Sequence, residues 1–218
     1  MQINSDFSCR AMAHSQQMEW VPSPMQGVAR RMLDRIGNEV ARATSIVKYD
    51  PGSAFSPHTH DGGEEFIVLE GIFQDERGDY PAGSYVRNPI GTSHTPRSDD
   101  GCTIFVKLWQ FEESDQAQFT VDLNAAFEDG KTELVLHETD FETVTLWRLD
   151  PHELHQLGAE GGAEYLILRG DLSLEGEVYT LHDWLRLPDG ELVTVQAGEA
   201  GVEIWSKTGH LKHVCVPA

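Results

Sequence analysis

The sequence predicts an all-β protein made of two tandem barrel domains, the second of which is a modified copy of the first. Short runs rich in Val, Ile, Phe, Tyr and Trp are separated by turn signals such as Asp-Pro-Gly at 50–52 and Pro-Asp-Gly at 188–190. Residues 61–71 (DGGEEFIVLEG) align with residues 160–170 (EGGAEYLILRG). The central strand of each copy is apolar on both faces, which is typical of strands covered on both sides.

The elements follow in a simple order along the chain. Residues 1–19 have no periodic pattern, and we expect an N-terminal arm. Residues 20–111 form the first domain, the polar residues 112–131 a connector, and residues 132–218 the second domain.

One stretch of the first domain is ambiguous. The apolar residues of 25–36 have helical spacing, whereas Gly37-Asn38 followed by the apolar residues of 41–49 predicts a hairpin. The internal repeat favours strands.

Composition and charge exclude several functions. The 218 residues carry a formal net charge of −20, which repels phosphate backbones and anionic membranes, so we expect no binding to nucleic acid or membrane. No apolar segment is long enough to cross a bilayer, and the N-terminus has no apolar core of a signal peptide. The three cysteines include no CxxC pair. These features predict a cytoplasmic protein with reduced thiols.

Three histidines and one glutamate of the first domain form a candidate metal site. His58 and His60 are two positions apart, so on a strand both side chains leave the same face. Glu64 follows a two-glycine turn, and His94 lies 30 residues further on, just after Pro89-Ile90-Gly91. Three imidazoles and a carboxylate suit a divalent transition metal such as zinc, iron, nickel or manganese.

The second copy is an internal control for this interpretation, because an HxH pair alone is weak evidence. All four ligand positions are small or apolar there, whereas their neighbours Glu65, Arg87, Pro89 and Gly91 are retained as Glu164, Arg186, Pro188 and Gly190. Loss of four scattered positions as a set indicates a lost metal site, since an unpaired polar group inside a barrel is costly. The replacements are Leu157, Ala159, Ala163 and Val193.

The motifs around these residues resemble those of cupins. GSAFSPHTHDGGEEFIVLEG (52–71) follows the first cupin motif, and GSYVRNPIGTSH (83–94) follows the second, although Ser98 stands where the second motif usually ends in asparagine. The resemblance implies a jelly-roll barrel that holds zinc through His58, His60, Glu64 and His94. It also implies that residues 132–218 are a degenerate cupin domain without a metal, so that the chain is a bicupin with one metal.

Within the cupins, the chain resembles the metal-binding domain of ChrR-type anti-sigma factors. The match is strong over about 20–110 and weak over 130–210. It implies a role in the transcriptional response to oxidative stress, with an extracytoplasmic-function sigma factor as a partner. The helical domain that would bind a sigma factor carries a CxxC in that family, and we expect it to be missing because only 19 residues precede Trp20.

Several other residues have two interpretations. Arg97, Tyr85 and Cys102 are candidates for supporting the metal ligands, although a barrel-core aromatic and an inert buried cysteine are the simpler interpretations of the last two. Glu65 and Arg87 are both repeated in the second copy, which favours a structural ion pair over catalysis.

Three functions follow from these residues. The first is a ChrR-like metal sensor that regulates transcription through a protein partner. The second, which the residues favour less than the first because no general base stands out beside the ligands, is a metal-dependent cupin dioxygenase that acts on a small oxygenated substrate such as a diketone. The third is a module that binds a small molecule with the metal as an anchor. The chain is expected to be a monomer or a homodimer.

Overall fold

The computed structural model describes residues 1–127 and 131–217, which form two compact all-β units. The first unit contains residues 1–5, 19–125 and 215–217, and the second contains residues 6–18 and the described part of 126–214. None of the described residues forms a helix that could cross a membrane.

The described residues form twenty-one strands. The strands as far as residue 108 are β1 (Gln2–Ile3), β2 (Ala11–Ala13), β3 (Val21–Pro22), β4 (Val28–Gly37), β5 (Ala41–Tyr49), β6 (Ser53–Ala54), β7 (His58–Thr59), β8 (Glu64–Asp75), β9 (Gly78–Pro81), β10 (Ser84–Asn88), β11 (Ser93–His94), β12 (Arg97–Ser98) and β13 (Cys102–Leu108). The later strands are β14 (Phe119–Asp122), β15 (Glu133–Glu138), β16 (Thr143–Leu149), β17 (Leu154–Leu157), β18 (Ala163–Leu174), β19 (Glu177–Tyr179), β20 (Trp184–Leu187) and β21 (Val193–Thr208). Two short 3-10 helices span Ser15–Gln17 and His210–Lys212.

The main sheet of the first unit has the strand order β1-β4-β5-β13-β8-β10-β14, with antiparallel pairing throughout. Strands β4 and β5 form a hairpin whose last pair is Gly37 with Ala41. The hairpin interpretation of this region is therefore confirmed, and the helical spacing of residues 25–36 is misleading. A separate two-stranded sheet, β11-β7, brings the two sequence motifs together.

The second unit repeats this arrangement with the order β15-β16-β21-β18-β20-β2. In the first unit Glu65 is the register partner of Lys107 on one side and Arg87 on the other. In the second unit Glu164 is paired in the same way with Lys207 and Arg186. The duplication seen in the sequence is thus a duplication of strand order and register, and the all-β bicupin prediction is confirmed.

In each unit, one edge strand is formed by a segment whose sequence does not predict a strand. β14 lies within residues 112–131, predicted as a connector, and pairs with β10. β2 lies within residues 1–19, predicted as an arm, and pairs with β20, the copy of β10. Residues 6–18 therefore belong to the second unit, although they lie at the start of the chain.

A glycine pair sets the turn that leads into the central strand of each unit. Gly63 and its counterpart Gly162 have φ angles of 74° and 73°, which favour glycine. A Cβ atom on Gly62 would lie 2.2 Å from the Trp109 ring, so this position also needs a residue without a side chain. The turn fixes where β8 begins, and thereby the position of Glu64.

Candidate metal centre

The four predicted ligands lie on short elements that the barrel brings together. His58 on β7 is the register partner of His94 on β11. His60 follows β7 directly, and Glu64 is the first residue of β8. One potential ligand atom from each of the four lies within 4.8 Å of all the others. The structure thus brings together all four residues that the sequence singled out.

The closest contacts in this group are between nitrogen and oxygen atoms that usually bind metals. The Nε2 atoms of His60 and His94 are 3.1 Å apart, and Glu64 Oε1 lies 3.4 Å and 3.5 Å from them. His60, Glu64 and His94 are each at least nine-tenths buried, whereas His58 is exposed. The group therefore lies inside the barrel, with His58 on the solvent side.

The hydrogen bonds behind the imidazoles determine which nitrogen carries the proton. His94 Nδ1 lies 3.3 Å from the Asp75 carboxylate, and His58 Nδ1 lies 3.2 Å from the Ser56 carbonyl. Both partners are acceptors, so each Nδ1 is the donor. His60 Nδ1 donates to the Thr92 hydroxyl at 2.9 Å, because that hydroxyl already donates to the Pro89 carbonyl.

All three Nε2 atoms consequently present lone pairs, and those of His60 and His94 face each other beside a carboxylate. Lone pairs that converge at these distances repel one another unless a cation or a proton lies between them. Protons on the imidazoles are disfavoured, because burial, reinforced by the neighbouring His94 and His58, lowers the pKa of His60 to about 3. Burial, again reinforced by His58, also lowers the pKa of His94. Neutral imidazoles are the form that binds metals, so the donor set fits a divalent transition ion.

The pKa of the carboxylate in this group shifts in the opposite direction. Burial raises the pKa of Glu64 to about 7, although a hydrogen bond from Asn88 opposes the shift. A buried carboxylate is costly unless a positive charge compensates it. A cation at this position would stabilise the ionised form, which is a second indication of a metal centre.

Sequence reasoning missed the residues that orient the ligands. Asp75 lies at the far end of β8 and also accepts hydrogen bonds from Tyr80 and from the Arg77 backbone. Thr92 is two positions before His94, and this spacing could have singled it out. Nothing in the sequence marks Asp75, because its contact with His94 joins two different strands, β8 and β11.

The three predicted supporting residues lie elsewhere. Tyr85 donates to Glu65 at 2.7 Å on the opposite face of the sheet. Arg97 is exposed and pairs with Asp99. Cys102 is buried in the barrel interior, where burial raises the pKa of its thiol to about 11, so it is an inert thiol. The structure gives all three a place in the scaffold.

The repeated pair Glu65 and Arg87 forms a buried ion pair at 2.9 Å, and Arg87 also contacts Asp115 at 2.6 Å.

In the second unit, the counterparts of the four candidate ligands are part of the apolar interior: Leu157, Ala163 and Val193 belong to its core cluster, and Ala159 packs against it. Hydrocarbon therefore occupies the region where the first unit has polar donors.

A cavity of about 390 Å³ lies over the candidate metal centre. His58, His60 and Glu64 contribute to its wall. Most of the remaining wall is apolar, including Val28, Val47, Tyr49, Phe55, Phe73, Ile104, Val106, Leu108 and Trp109. The size and lining are typical of a small-molecule site.

Fold and site together define a bicupin, an all-β protein with two cupin barrels in one chain. Residues 8–112 match the family of ChrR cupin-like domains. The chain is therefore a bicupin whose first half is similar to the ChrR cupin-like domain. No curated protein matches the sequence significantly.

Solved structures with this fold include two that were studied with a metal, nickel in one and manganese in the other. A putative dioxygenase from Nostoc punctiforme PCC 73102 is 13% identical with a TM-score of 0.68, and the alignment covers 100% of this chain and 86% of that one. The nickel(II) complex of the bacterial pirin YhhW from Escherichia coli is 14% identical with a TM-score of 0.65, covering 91% and 98%. Oxalate decarboxylase from Bacillus subtilis, studied for its Mn(II) centres, is 11% identical with a TM-score of 0.55, covering 95% and 79%. At these identities the likeness shows the fold alone.

Proposed function

We propose that the protein is a metal-dependent cupin that binds a small oxygenated organic molecule over the metal centre and acts on it as a dioxygenase. The observation that carries the proposal is the combination of convergent Nε2 lone pairs, a buried carboxylate and an adjoining apolar cavity. A purely structural zinc site is closed by its ligands, whereas this one adjoins a cavity for a ligand.

The ligand residues would be His58, His60, Glu64 and His94. The bound metal would supply a Lewis acid that polarises an oxygen of the substrate or binds dioxygen. The chain's own residues hold the imidazoles: Asp75 and Thr92 keep the Nδ1 protons of His94 and His60 away from the centre. The apolar part of the wall would contact the hydrocarbon part of the substrate.

The identity of the metal is part of the proposal. Imidazole and carboxylate donors suit iron, nickel, manganese and zinc. The pirin and oxalate decarboxylase neighbours contain nickel and manganese, and iron would suit a dioxygenase. Zinc remains a prediction from the ChrR resemblance.

The test begins with protein purified without a histidine tag. We expect close to one transition metal per chain by elemental analysis, and oxygen uptake when the iron(II)-loaded protein receives pentane-2,4-dione. Absence of bound metal after reconstitution with iron, manganese, nickel and zinc in turn would refute the metal centre. Bound metal without oxygen uptake on any of several diketones would refute the dioxygenase activity alone.

A ChrR-like sensor is the second candidate, and the family match over residues 8–112 favours it. In this function, oxidation or loss of the metal would change a contact with a protein partner such as a sigma factor. The expected result is release of the metal on exposure to singlet oxygen, together with a change in partner binding. Oxidant-insensitive metal content would contradict this function and leave the enzyme proposal intact.

A further inference from the structure

The cavity over the metal centre has one cationic side chain in its wall. Among the lining residues of the described chain, Arg30 is the only arginine or lysine, and the carboxylates in the wall are Glu39, Asp61 and Glu64. It lies on β4 two positions after Val28, so the two side chains share a strand face, and both line the cavity. Its register partner on β5, Val47, belongs to the same wall.

The guanidinium of Arg30 is incompletely satisfied. Its Nε is buried and has no hydrogen-bond partner among the described residues. Its Nη1 lies 3.5 Å from a carboxylate oxygen of Glu39, a side chain that is 67% exposed and so forms only a weak pair. The Nη nitrogens, held in the described chain only by this weak pair, are therefore the donors that a ligand oxygen in the cavity would contact.

The second unit shows that this arginine is not part of the shared scaffold. The strand register of the first unit aligns Arg30 with Val47 and then Ile104. The equivalent register of the second unit aligns Glu133 with Trp147 and then Ile204. Glu133 is exposed, and Trp147 packs against the core. The arginine and the metal ligands therefore occur together, in the copy that has the cavity.

From this placement we infer that the cavity binds a small carboxylate with an apolar body, and that Arg30 binds the carboxylate group. The planar guanidinium presents paired donors that match a carboxylate, and the surrounding Val, Ile and Phe side chains suit a hydrocarbon or aromatic body. The opposite end of the ligand would point to the metal centre. This inference rests on the proposed function, because it takes the cavity as the place where the substrate binds.

Isothermal titration calorimetry with two probes tests the inference. 3-Phenylpropanoate and its neutral analogue 3-phenylpropanamide have the same size and apolar body, and differ in charge. Wild-type protein should bind the carboxylate at least tenfold more tightly than the amide. Arg30→Gln should abolish that preference, whereas Arg30→Lys should retain part of it because the charge remains.

Arg31→Gln is the matched control, since Arg31 is the next residue on β4 and lies over the Trp20 ring at 4.1 Å. It makes the same change in net charge and should leave both affinities as in wild type. An unchanged preference in Arg30→Gln, or a wild-type protein without any preference, including one that binds neither probe, would overturn the inference. Circular dichroism would confirm that each variant is folded.

The metal content of the same samples separates this inference from the proposed function. Wild-type protein that binds metal but shows no carboxylate preference would refute the role of Arg30 alone. Carboxylate binding that depends on Arg30 in protein unable to bind metal would support the role of Arg30 and refute the metal centre. Elemental analysis of the same samples after reconstitution with metal separates these two outcomes.

Discussion

Each imidazole of the metal centre has its Nδ1 atom on a hydrogen-bond acceptor, and the most polar acceptor is Asp75. Its carboxylate is almost completely buried and lies 3.3 Å from His94 Nδ1. A carboxylate behind a metal-binding histidine fixes the tautomer and raises the basicity of Nε2. Asp75 is therefore as much a part of the candidate metal centre as the four candidate ligands.

Asp75→Asn should weaken metal binding by about 10–100-fold, because asparagine keeps the size of the side chain but removes its charge. Competition with a chromogenic chelator would measure the affinity. Tyr80→Phe is the matched control: it removes a hydrogen bond to the same carboxylate and leaves the contact with His94 in place. Equal losses in the two variants would show that Asp75 acts only through the local fold.

His58→Ala should remove stoichiometric metal, since His58 is one of four ligands and its exposed position makes the substitution structurally mild. Elemental analysis after dialysis is the measurement. His152→Ala, in the second unit, is the control and should retain the metal of wild-type protein. Full metal content in His58→Ala would remove this residue from the site.

The positions of single elements depend on particular side chains, and these side chains differ between the two units. The N-terminal segment 6–18 is held in the second unit by side-chain contacts as well as by β2. His14 lies 2.9 Å from Asp183 and 3.0 Å from Glu177. These carboxylates, Glu177 first, raise the pKa of His14 above its usual value of 6.5.

The raised pKa makes a contribution to stability that depends on pH. It is fully present below about 6.5, where histidine is also protonated in the unfolded chain, and it is lost as the pH rises through the higher pKa of the folded state. His14→Gln should therefore lose more stability at pH 5.5 than at pH 9, by about 1 kcal/mol or less for such a partly exposed pair. Urea unfolding at the two pH values measures it, and equal losses would show that the ion pairs contribute nothing.

The glycine turn before β8 allows a test that separates backbone conformation from crowding. Gly63 and Gly52 both have positive φ angles, 74° and 78°. A Cβ on Gly63 would lie 2.4 Å from the Phe111 ring, whereas a Cβ on Gly52 would meet nothing within 4 Å. Gly52→Ala should cost about 1–2 kcal/mol through the backbone. Gly63→Ala should cost about 1–3 kcal/mol more through crowding.

Urea unfolding of the two alanine variants measures the difference. Gly63→Ala should also lower metal affinity, because the turn sets the position of Glu64. Equal stability losses would mean that Phe111 moves aside without cost.

For the whole molecule, the duplication predicts one metal per chain. The first unit presents four polar donors, and the second presents Leu157, Ala159, Ala163 and Val193 at the same positions. Tag-free protein saturated with metal should contain close to one transition ion at this type of site. A second tightly bound ion that survives in His58→Ala would contradict the assignment of the second unit as a barrel without metal.

The net charge of −20 also concerns the whole molecule. From this charge we predict, on electrostatic grounds, that the protein does not bind nucleic acid. A sigma factor or another protein partner, and the choice between monomer and homodimer, likewise stay predictions.

Much of the fold and of the site could be predicted from the sequence, because the residues that specify them lie in short motifs or occur in both copies. The HxH pair, Glu64 and His94 lie in two short motifs whose spacing sets their strands. Comparison of the two copies separated the candidate ligands, which occur in one copy, from structural residues, which occur in both. The Glu65–Arg87 pair was expected to be structural because both copies have it. A fixed spacing on a strand determines which side chains share a face, and that property can be read without a structure.

Other features were decided only by tertiary structure. The edge strands β2 and β14 form through backbone hydrogen bonds with β20 and β10, and such bonds leave no signature in side-chain patterns. Asp75 at the end of β8 meets His94 on β11 through the tertiary fold, and Arg30 faces the cavity because β4 pairs with β5 in one register. Contacts between residues far apart in the chain depend on curvature and register, which the three-dimensional fold sets and local sequence does not encode.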